Sequence, residues 1–253
     1  MESGKKLFII VPCYNEEECL PATQPIFVAE LKEMIRKGLA SEESRVLFVD
    51  DGSRDKTWQL IRSFHETDPL CIGLRLKPNG GHQKAVMAGI MEALDRADVS
   101  ISIDADLQDN IYAMQEMMRK YLAGAHIVCG VRNSRATDSF LKRFTARAYY
   151  FLMNLCGARL IFDHADYRLL DQDAMGRLCL YHDDALFLRG MVTRLNLPTA
   201  TVTYDRNVRM AGESKYTLAK MLKLARDGFA CGKLRPRDSR RPYDERIVER
   251  LGE

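Results

Sequence analysis

The 253-residue sequence contains no apolar run long enough to cross a bilayer and no strong charge of one sign. A membrane-spanning helix needs about 20 consecutive apolar residues, whereas the apolar run at residues 7–11 is short and reads as a strand. We therefore expect neither a signal peptide nor a transmembrane helix. The formal net charge of +3 is too small to indicate a nucleic-acid partner.

Paired cysteines and glycine-rich phosphate loops are also missing. The seven cysteines form no Cys-x-x-Cys pair and no Cys/His array with zinc spacing. Their odd number and their scatter through apolar segments predict reduced thiols in a cytoplasmic protein. Gly80-Gly81 lacks the spacing of both glycine-rich nucleotide fingerprints, so a structural turn is favoured there.

Short apolar runs instead alternate with longer helical patterns. Strands are predicted at residues 7–11, 45–49, 71–76, 99–103, 127–129, 167–170 and 200–204. Helices are predicted at residues 17–36, 56–64, 81–94, 111–122, 172–180 and 217–229. The alternation predicts an α/β fold, a mostly parallel sheet flanked by helices, in one domain over residues 1–231. Residues 232–253 are polar and rich in Arg and Pro, and we expect a weakly ordered tail there.

Three predicted strands end in polar clusters, at residues 12–17, 50–55 and 104–109. Ligands of parallel sheets bind beyond the carboxyl ends of the strands. Each cluster alone could be a turn, but together they predict one site at one edge of the sheet.

Asp104 and Asp106 flank a single alanine, so on an extended backbone both carboxylates would leave the same face. Two adjacent carboxylates repel each other unless a cation lies between them, and Mg²⁺ or Mn²⁺ prefers such an oxygen-rich site. The alternative is that Asp106 or Asp109 caps the following helix.

The other two clusters favour nucleotide contacts. Asp51 follows a strand and could accept hydrogen bonds from a base or ribose, whereas Ser53 and Asp55 are better explained as helix caps. The run from Pro12 to Glu16, with Tyr14 and Asn15 between them, could stack on a nucleobase and bind its edge. A polar turn before a helix is the alternative.

The runs VPCYNEE, VDDGSRD and DADLQD resemble family 2 glycosyltransferases with the GT-A fold. More narrowly, they resemble the polyprenyl-phosphate hexosyltransferases, which include dolichyl-phosphate mannose synthase and bacterial polyprenyl-phosphate glucosyltransferases. The resemblance continues through GVRNSR (130–135), ADYRLLD (165–171) and RMAGESKY (209–216), and so covers roughly residues 6–230. Members of this subgroup often carry transmembrane helices after the SKY stretch, whereas here the amphipathic segment 217–229 is followed by a polar stretch.

The resemblance implies a nucleotide-sugar donor and a role for each motif. The nucleoside would be held by Pro12, Tyr14, Asn15, Glu16 and Asp51. The metal and the diphosphate would be held by Asp104, Asp106 and Gln108, under a mobile loop that contains Arg209, Ser214 and Lys215. Asp166 would lie near the acceptor, as a base or, for a phosphate acceptor that is already ionised, as an orienting group. Direct in-line attack would invert the anomeric carbon.

The region that follows residue 131 bears on the acceptor. Between Arg132 and Arg159 there are six Arg or Lys residues and one acidic residue, Asp138. With its interleaved aromatics, segment 139–156 could form an amphipathic helix on an anionic membrane and present Arg132 or Arg147 to a lipid phosphate. The alternative is the solvated basic face of a packing helix.

The sequence thus predicts a metal-dependent inverting hexosyltransferase that uses UDP-glucose, or second GDP-mannose, and a polyprenyl phosphate. It would act in glycan biosynthesis, peripherally on the cytoplasmic face of the membrane. Two alternatives stay open. One is a soluble family 2 enzyme that glycosylates a saccharide or protein hydroxyl, with Asp166 as a true general base. The other is a non-catalytic nucleotide-binding relic.

Overall fold

The structure is a computed structural model that describes residues 4–133, 164–181, 186–206 and 244–252. The strands are β1 (Leu7–Cys13), β2 (Arg45–Asp50), β3 (Cys71–Leu76), β4 (Val99–Ser102), β5 (Ile127–Arg132), β6 (His164–Asp171), β7 (Thr199–Tyr204) and β8 (Ile247–Leu251). The helices are α1 (Leu20–Arg36), α2 (Thr57–Thr67), α3 (His82–Leu94), α4 (Ala113–Leu122), α5 (Gln172–Leu178) and α6 (Leu188–Val192). The predicted segments 139–156 and 217–229 lie outside the described residues.

Within those described ranges, the strands form a single eight-stranded sheet in the order β7-β5-β6-β4-β1-β2-β3-β8. The pairs β1–β2, β1–β4, β2–β3 and β5–β7 are parallel. β6 runs antiparallel to β4 and β5, and β8 runs antiparallel to β3. The α/β fold that the alternating pattern predicted is confirmed.

Helices cover both faces of the sheet. In β1, Phe8 and Ile10 belong to the core cluster under α3, α5 and α6, whereas Leu7 and Ile9 belong to the cluster under α1, α2 and α4. Successive side chains of a strand point to opposite faces. Because helices cover both faces, β1 is buried along its whole length. A strand in this position needs apolar side chains on both faces, which explains its continuous apolar sequence.

Helix α3 approaches the sheet closely at Gly89. A Cβ on Gly89 would lie 2.4 Å from Ile10 Cγ2 and 3.1 Å from Val49 Cγ2. We expect Gly89→Ala to destabilise the fold by about 2 kcal/mol, because the extra methyl overpacks this contact. Gly176→Ala is the matched control, since its Cβ would meet only Leu94 Cδ1 at 3.8 Å, and it should be neutral or stabilising by under about 1 kcal/mol. Urea unfolding compares them, and equal midpoints would contradict the packing.

The prediction of a weakly ordered tail over residues 232–253 was wrong for its last part. Residues Asp244–Arg246 form a 3₁₀ turn, and β8 then pairs with β3 at the edge of the sheet. Charged side chains are common on edge strands, and here Glu249 accepts a hydrogen bond from Trp58 Nε1 at 3.0 Å. The polar composition therefore reflects the edge position of this strand.

Two further features concern the class of protein. The five described cysteines, Cys13, Cys19, Cys71, Cys129 and Cys179, are buried thiols. In the part of the chain that the structure describes, no helix is both long enough and apolar enough to span a bilayer.

Candidate functional site

The register of the sheet brings the three predicted clusters to one edge. Cys13 at the end of β1 pairs with Asp50 at the end of β2, and β4 ends beside them because Ile10 pairs with Ser102. β6 is antiparallel, so its first residues lie where β4 ends, and Ser102 pairs with Arg168. The polar residues that follow β1, β2 and β4 therefore share one edge with the start of β6.

The turn after β1 is tied to the turn after β2 by side chains that accept backbone N–H groups. Asn15 has a positive φ of 53°, its N–H donates to Ser53 Oγ at 3.0 Å, and its Oδ1 accepts from the N–H of Arg54 at 2.9 Å. The N–H of Glu16 donates to Thr57 Oγ1 at 2.8 Å. Helix α1 begins after this turn, at Leu20, three residues later than predicted.

Four of the five residues predicted to hold a nucleoside lie on this turn or lead into it; Asp51 follows β2. Pro12 is buried on β1, and Tyr14 and Glu16 are partly exposed just beyond it. Of the two predicted caps, Asp55 accepts the N–H of Thr57 at 3.0 Å at the start of α2, whereas Ser53 binds Asn15 instead. Several hydrogen bonds thus hold the turn, and Tyr14 and Glu16 lie on it partly exposed.

Asp51 holds the loop between β3 and α3. This loop, residues 77–81, is called the β3–α3 loop below. The Asp51 carboxylate accepts from the N–H groups of Gly80 at 2.9 Å and Gly81 at 2.6 Å, and from Asn79 Nδ2 at 2.9 Å. Burial raises the pKa of Asp51, although the two amides and Arg246 favour its ionised form. The Gly80-Gly81 pair is a structural turn, as predicted, and Asp51 is the group that fixes it.

Asp104 and Asp106 lie on a turn rather than on the extended backbone that was predicted. β4 ends at Ser102, and Leu107 adopts a positive φ of 50° while its N–H donates to Asp104 O at 3.5 Å. Ala105 and Leu107 are buried, whereas both aspartates are partly exposed. The turn thus buries the alternate residues and leaves both aspartates partly exposed, and the charge of Asp106 reaches Asp104.

The surroundings of Asp104 are acidic. Desolvation, and then the charges of Asp166, Asp109 and Asp106, raise the pKa of the Asp104 carboxyl, against the opposing effect of His82, whose Nε2 lies 3.7 Å from Asp104 Oδ1. No three Asp, Glu, His or Cys side chains of the described ranges are arranged to hold a metal ion. An ion bound by this pair would therefore need further oxygen ligands from a substrate or from water, as Mg²⁺ commonly has.

The alternative that Asp106 or Asp109 caps the next helix is not observed. Asp106 Oδ1 accepts from the N–H of Gln108 at 3.1 Å, and α4 has no side-chain cap. Asp109 is buried and binds Arg132 through Nε at 2.8 Å and Nη2 at 3.0 Å. Gln108 Oε1 accepts from Arg206 Nη2. Two guanidinium groups thus lie directly beside the aspartate turn.

Asp166, the predicted base, is held between two arginines. Its carboxylate pairs with Arg168 Nη2, and it accepts from Arg189 through Nε at 3.2 Å and Nη2 at 2.7 Å. Burial opposes ionisation, but Arg189 and Arg168 hold the pKa of Asp166 well below its usual range. The Asp166 side chain is 10% exposed and that of Arg168 is fully buried. Such a carboxylate stays charged and is a weak base at neutral pH.

The first turn of α3 connects these groups. Gln83 Nε2 lies 3.4 Å from Asp166 Oδ1, and Gln83 Oε1 accepts the N–H of Leu188 at 3.0 Å. The preceding residue, His82, faces Asp104. The β3–α3 loop held by Asp51 therefore leads directly to the two residues that face Asp104 and Asp166.

Sequence reasoning missed several residues of this site. Arg168 lies two positions after Asp166 on the same face of β6, so strand periodicity could have identified it. Arg189 and Gln83 gave no comparable signal, because they are 23 and 83 residues from Asp166 along the chain. The predicted residues Arg147, Arg209, Ser214 and Lys215 lie outside the described residues.

Comparisons with known proteins show the family of the chain. The family model "Glycosyl transferase family 2" matches residues 8–179. An uncharacterized glycosyltransferase, YkoT, of Bacillus subtilis strain 168 is 45% identical over 93% of this chain and 70% of its own length. A prophage bactoprenol glucosyl transferase homolog of Escherichia coli strain K12 is 34% identical over 88% of this chain and 71% of its own length.

Solved structures share the fold at low sequence identity. Mannosyl-3-phosphoglycerate synthase from Rubrobacter xylanophilus superposes with a TM-score of 0.62 at 16% identity, over 90% of this chain and 72% of that one. Glucosyl-3-phosphoglycerate synthase from Mycobacterium tuberculosis, crystallised with Mn²⁺, UDP and glucosyl-3-phosphoglycerate, superposes with a TM-score of 0.57 at 16% identity, over 90% of this chain and 78% of that one. At this identity the likeness concerns the fold, and it is of the GT-A type.

Proposed function

The chain belongs to glycosyltransferase family 2, and from that premise we propose that it transfers a hexose from a nucleotide sugar to a polyprenyl phosphate with inversion. The observation that carries the proposal is the clamped carboxylate of Asp166 at the edge that also holds Asp104 and Asp106. Relatives named bactoprenol glucosyl transferases support the lipid acceptor and make UDP-glucose the first donor to test, before GDP-mannose.

The donor would lie across the ends of β1, β2 and β4. The turn with Pro12, Tyr14, Asn15 and Glu16 would bind the nucleoside, beside the loop that Asp51 holds. Oδ1 of Asn15 is engaged within the turn, which favours Tyr14 and Glu16 as the direct contacts. The diphosphate would then extend toward the aspartate turn and Gln108, where Ser214, Arg209 and Lys215 would close over it.

Asp104 and Asp106 fit a hard divalent cation, Mg²⁺ or Mn²⁺, because both offer partly exposed carboxylate oxygens on one turn. Such an ion would neutralise the charge that builds up on the departing nucleoside diphosphate. The residues of the chain bind and orient the diphosphate, and Arg132 and Arg206 add positive charge beside the same turn. The Mn²⁺ and UDP bound by one fold neighbour support this assignment.

The state of Asp166 distinguishes between acceptors. A hydroxyl acceptor requires a base whose pKa lies near the working pH, whereas two guanidinium groups hold the pKa of Asp166 well below its usual range. A phosphate monoester needs no base, because its second pKa is near 6. Asp166 would instead orient Arg189, a partly exposed cation next to the reacting groups. This favours an anionic acceptor over a saccharide or protein hydroxyl.

The acceptor phosphate would belong to a lipid, so the enzyme would act at a membrane. The face proposed is the cytoplasmic one. Arg132 would meet the phosphate with Arg147, and segment 139–156 would contact anionic headgroups. Desolvation opposes the charge of Arg132, but the Asp109 carboxylate raises its pKa, so the guanidinium stays charged and is held in place by that carboxylate. A guanidinium held in one orientation suits bidentate recognition of phosphate.

Sugar transfer by the purified chain tests the function. We expect a lipid-linked hexose when UDP-glucose, a divalent cation and a short-chain polyprenyl phosphate in detergent are combined, and no product when EDTA removes the cation. The dephosphorylated polyprenol serves as the matched acceptor control and should give no product. Transfer to the polyprenol or to a free saccharide at an equal rate would contradict the phosphate acceptor.

A further inference from the structure

The β3–α3 loop is held from two sides. On the inside, the Asp51 carboxylate binds Asn79, Gly80 and Gly81. On the outside, the C-terminal segment binds the same loop. The N–H of Lys77 donates to the carbonyl of Arg246 at 2.8 Å, and Arg246 Nη2 donates to the carbonyl of Pro78 at 2.8 Å.

The guanidinium of Arg246 also packs directly on Gly80. A Cβ on Gly80 would lie 2.6 Å from Arg246 Nη1 and 3.0 Å from Arg246 Cζ. The positive charge of Arg246 reaches Asp51 and favours its ionised form, which is the form that accepts hydrogen bonds from the loop. One side chain from the end of the sequence thus stabilises both the loop and the carboxylate that anchors it.

We propose that Arg246 is a positioning residue for the nucleotide-sugar donor, which it serves by fixing the β3–α3 loop against Asp51. The proposal rests on the proposed function, because it assumes that a nucleoside diphosphate binds beside this loop. Asp51 and the turn after β1 lie next to each other, since the N–H of Asp51 donates to the carbonyl of Cys13 at 2.9 Å. A displaced loop would therefore disturb the nucleoside side of the cleft first.

β8 has several contacts that do not involve the Arg246 side chain, besides its pairing with β3. Glu249 binds Trp58 Nε1 and pairs with Arg62. Arg250 is the next residue of the same strand, and its Nε lies 3.2 Å from Glu92 Oε2 of α3. Arg250 therefore provides a matched control, an arginine of β8 whose ion pair holds α3 rather than the loop.

Calorimetric titration of the full chain with UDP and with GDP, in the presence of Mn²⁺, tests the proposal. We expect Arg246→Gln to weaken binding of the better ligand by about tenfold, the effect of one lost charge-assisted hydrogen bond. Gly80→Ala should reproduce the loss, because the new methyl displaces the guanidinium from the opposite side. Arg246→Lys should recover part of it, and Arg250→Gln should bind within about twofold of the wild type.

Steady-state kinetics separates positioning from general stability. KM for the sugar donor should rise in Arg246→Gln and Gly80→Ala, with kcat and the KM for the acceptor unchanged. Wild-type donor affinity in both variants would overturn the proposal, and so would an equal loss of affinity in Arg250→Gln. If the wild type binds a nucleoside diphosphate but forms no lipid product, the proposed acceptor fails while Arg246 can still be judged from binding. If it binds neither nucleotide, both proposals fail.

Discussion

Asp106→Asn should lower turnover by about 10³-fold, which corresponds to about 4 kcal/mol of lost transition-state stabilisation. Asn keeps the shape of the side chain and one acceptor oxygen, but it removes one of the two charges that would hold a divalent cation on the turn after β4. Binding of the nucleoside diphosphate should also lose its dependence on Mn²⁺. Initial rates and titrations with and without Mn²⁺ measure the two effects.

Asp173→Asn is the matched control for this change. Asp173 lies on α5 at the opposite end of the sheet, because Asp171 pairs with Val99 at the start of β4. Its ion pair with Arg177 is half exposed on both sides, so its loss should change turnover by less than twofold. Normal kinetics in Asp106→Asn would remove the metal pair from the proposed site.

Asp166→Asn should destabilise the protein by about 3 kcal/mol and also abolish most of the transfer activity. Removal of the carboxylate leaves Arg168, whose side chain is fully buried, without its counter-charge. Loss of one partner of a buried ion pair is far more costly than loss of a surface pair. Urea unfolding at pH 7 measures the change, and Asp173→Asn should cost less than about 1 kcal/mol. A cost for Asp166→Asn no greater than that of the control would contradict the buried clamp.

The pH dependence of this contribution has a definite sign. The pKa of Asp166 is lowered well below its usual range in the folded protein, whereas it is about 3.9 in an unfolded chain. The stabilisation is therefore fully present above about pH 5 and is lost as the pH falls below about 4 toward the folded pKa. Stability differences between the wild type and Asp166→Asn, measured from pH 7 downward, should shrink only in that acidic range.

The same reasoning applies to the rate. Because Asp166 keeps its charge from pH 5 to 8, the acid limb of kcat/KM for the acceptor should follow the ionisation of the acceptor phosphate near pH 6. Residual activity of Asp166→Asn should keep that limb. A limb that disappears in the variant would identify Asp166 as the general base and would favour a hydroxyl acceptor.

Much of the fold could be predicted from local patterns, because a strand buried on both faces leaves a continuous apolar run. β3 was predicted with its observed bounds, and β1, β2 and β4 within two residues of theirs. β8 and α6 were not predicted. β8 is a half-buried edge strand whose charged residues are satisfied by partners far away in sequence, and α6 is too short to show a helical period.

The sequence alone determined the family, the α/β alternation and the three polar clusters, since each is encoded in contiguous residues or in a short period. Only the tertiary structure decided which partners the residues of those clusters contact. It engaged Asp51 with the β3–α3 loop, placed Asp166 between Arg168 and Arg189, and brought Arg246 to Gly80. The physical reason is that charge compensation and hydrogen bonding at the sheet edge join residues that are distant along the chain. No local pattern specifies such pairs; the order and direction of the strands do.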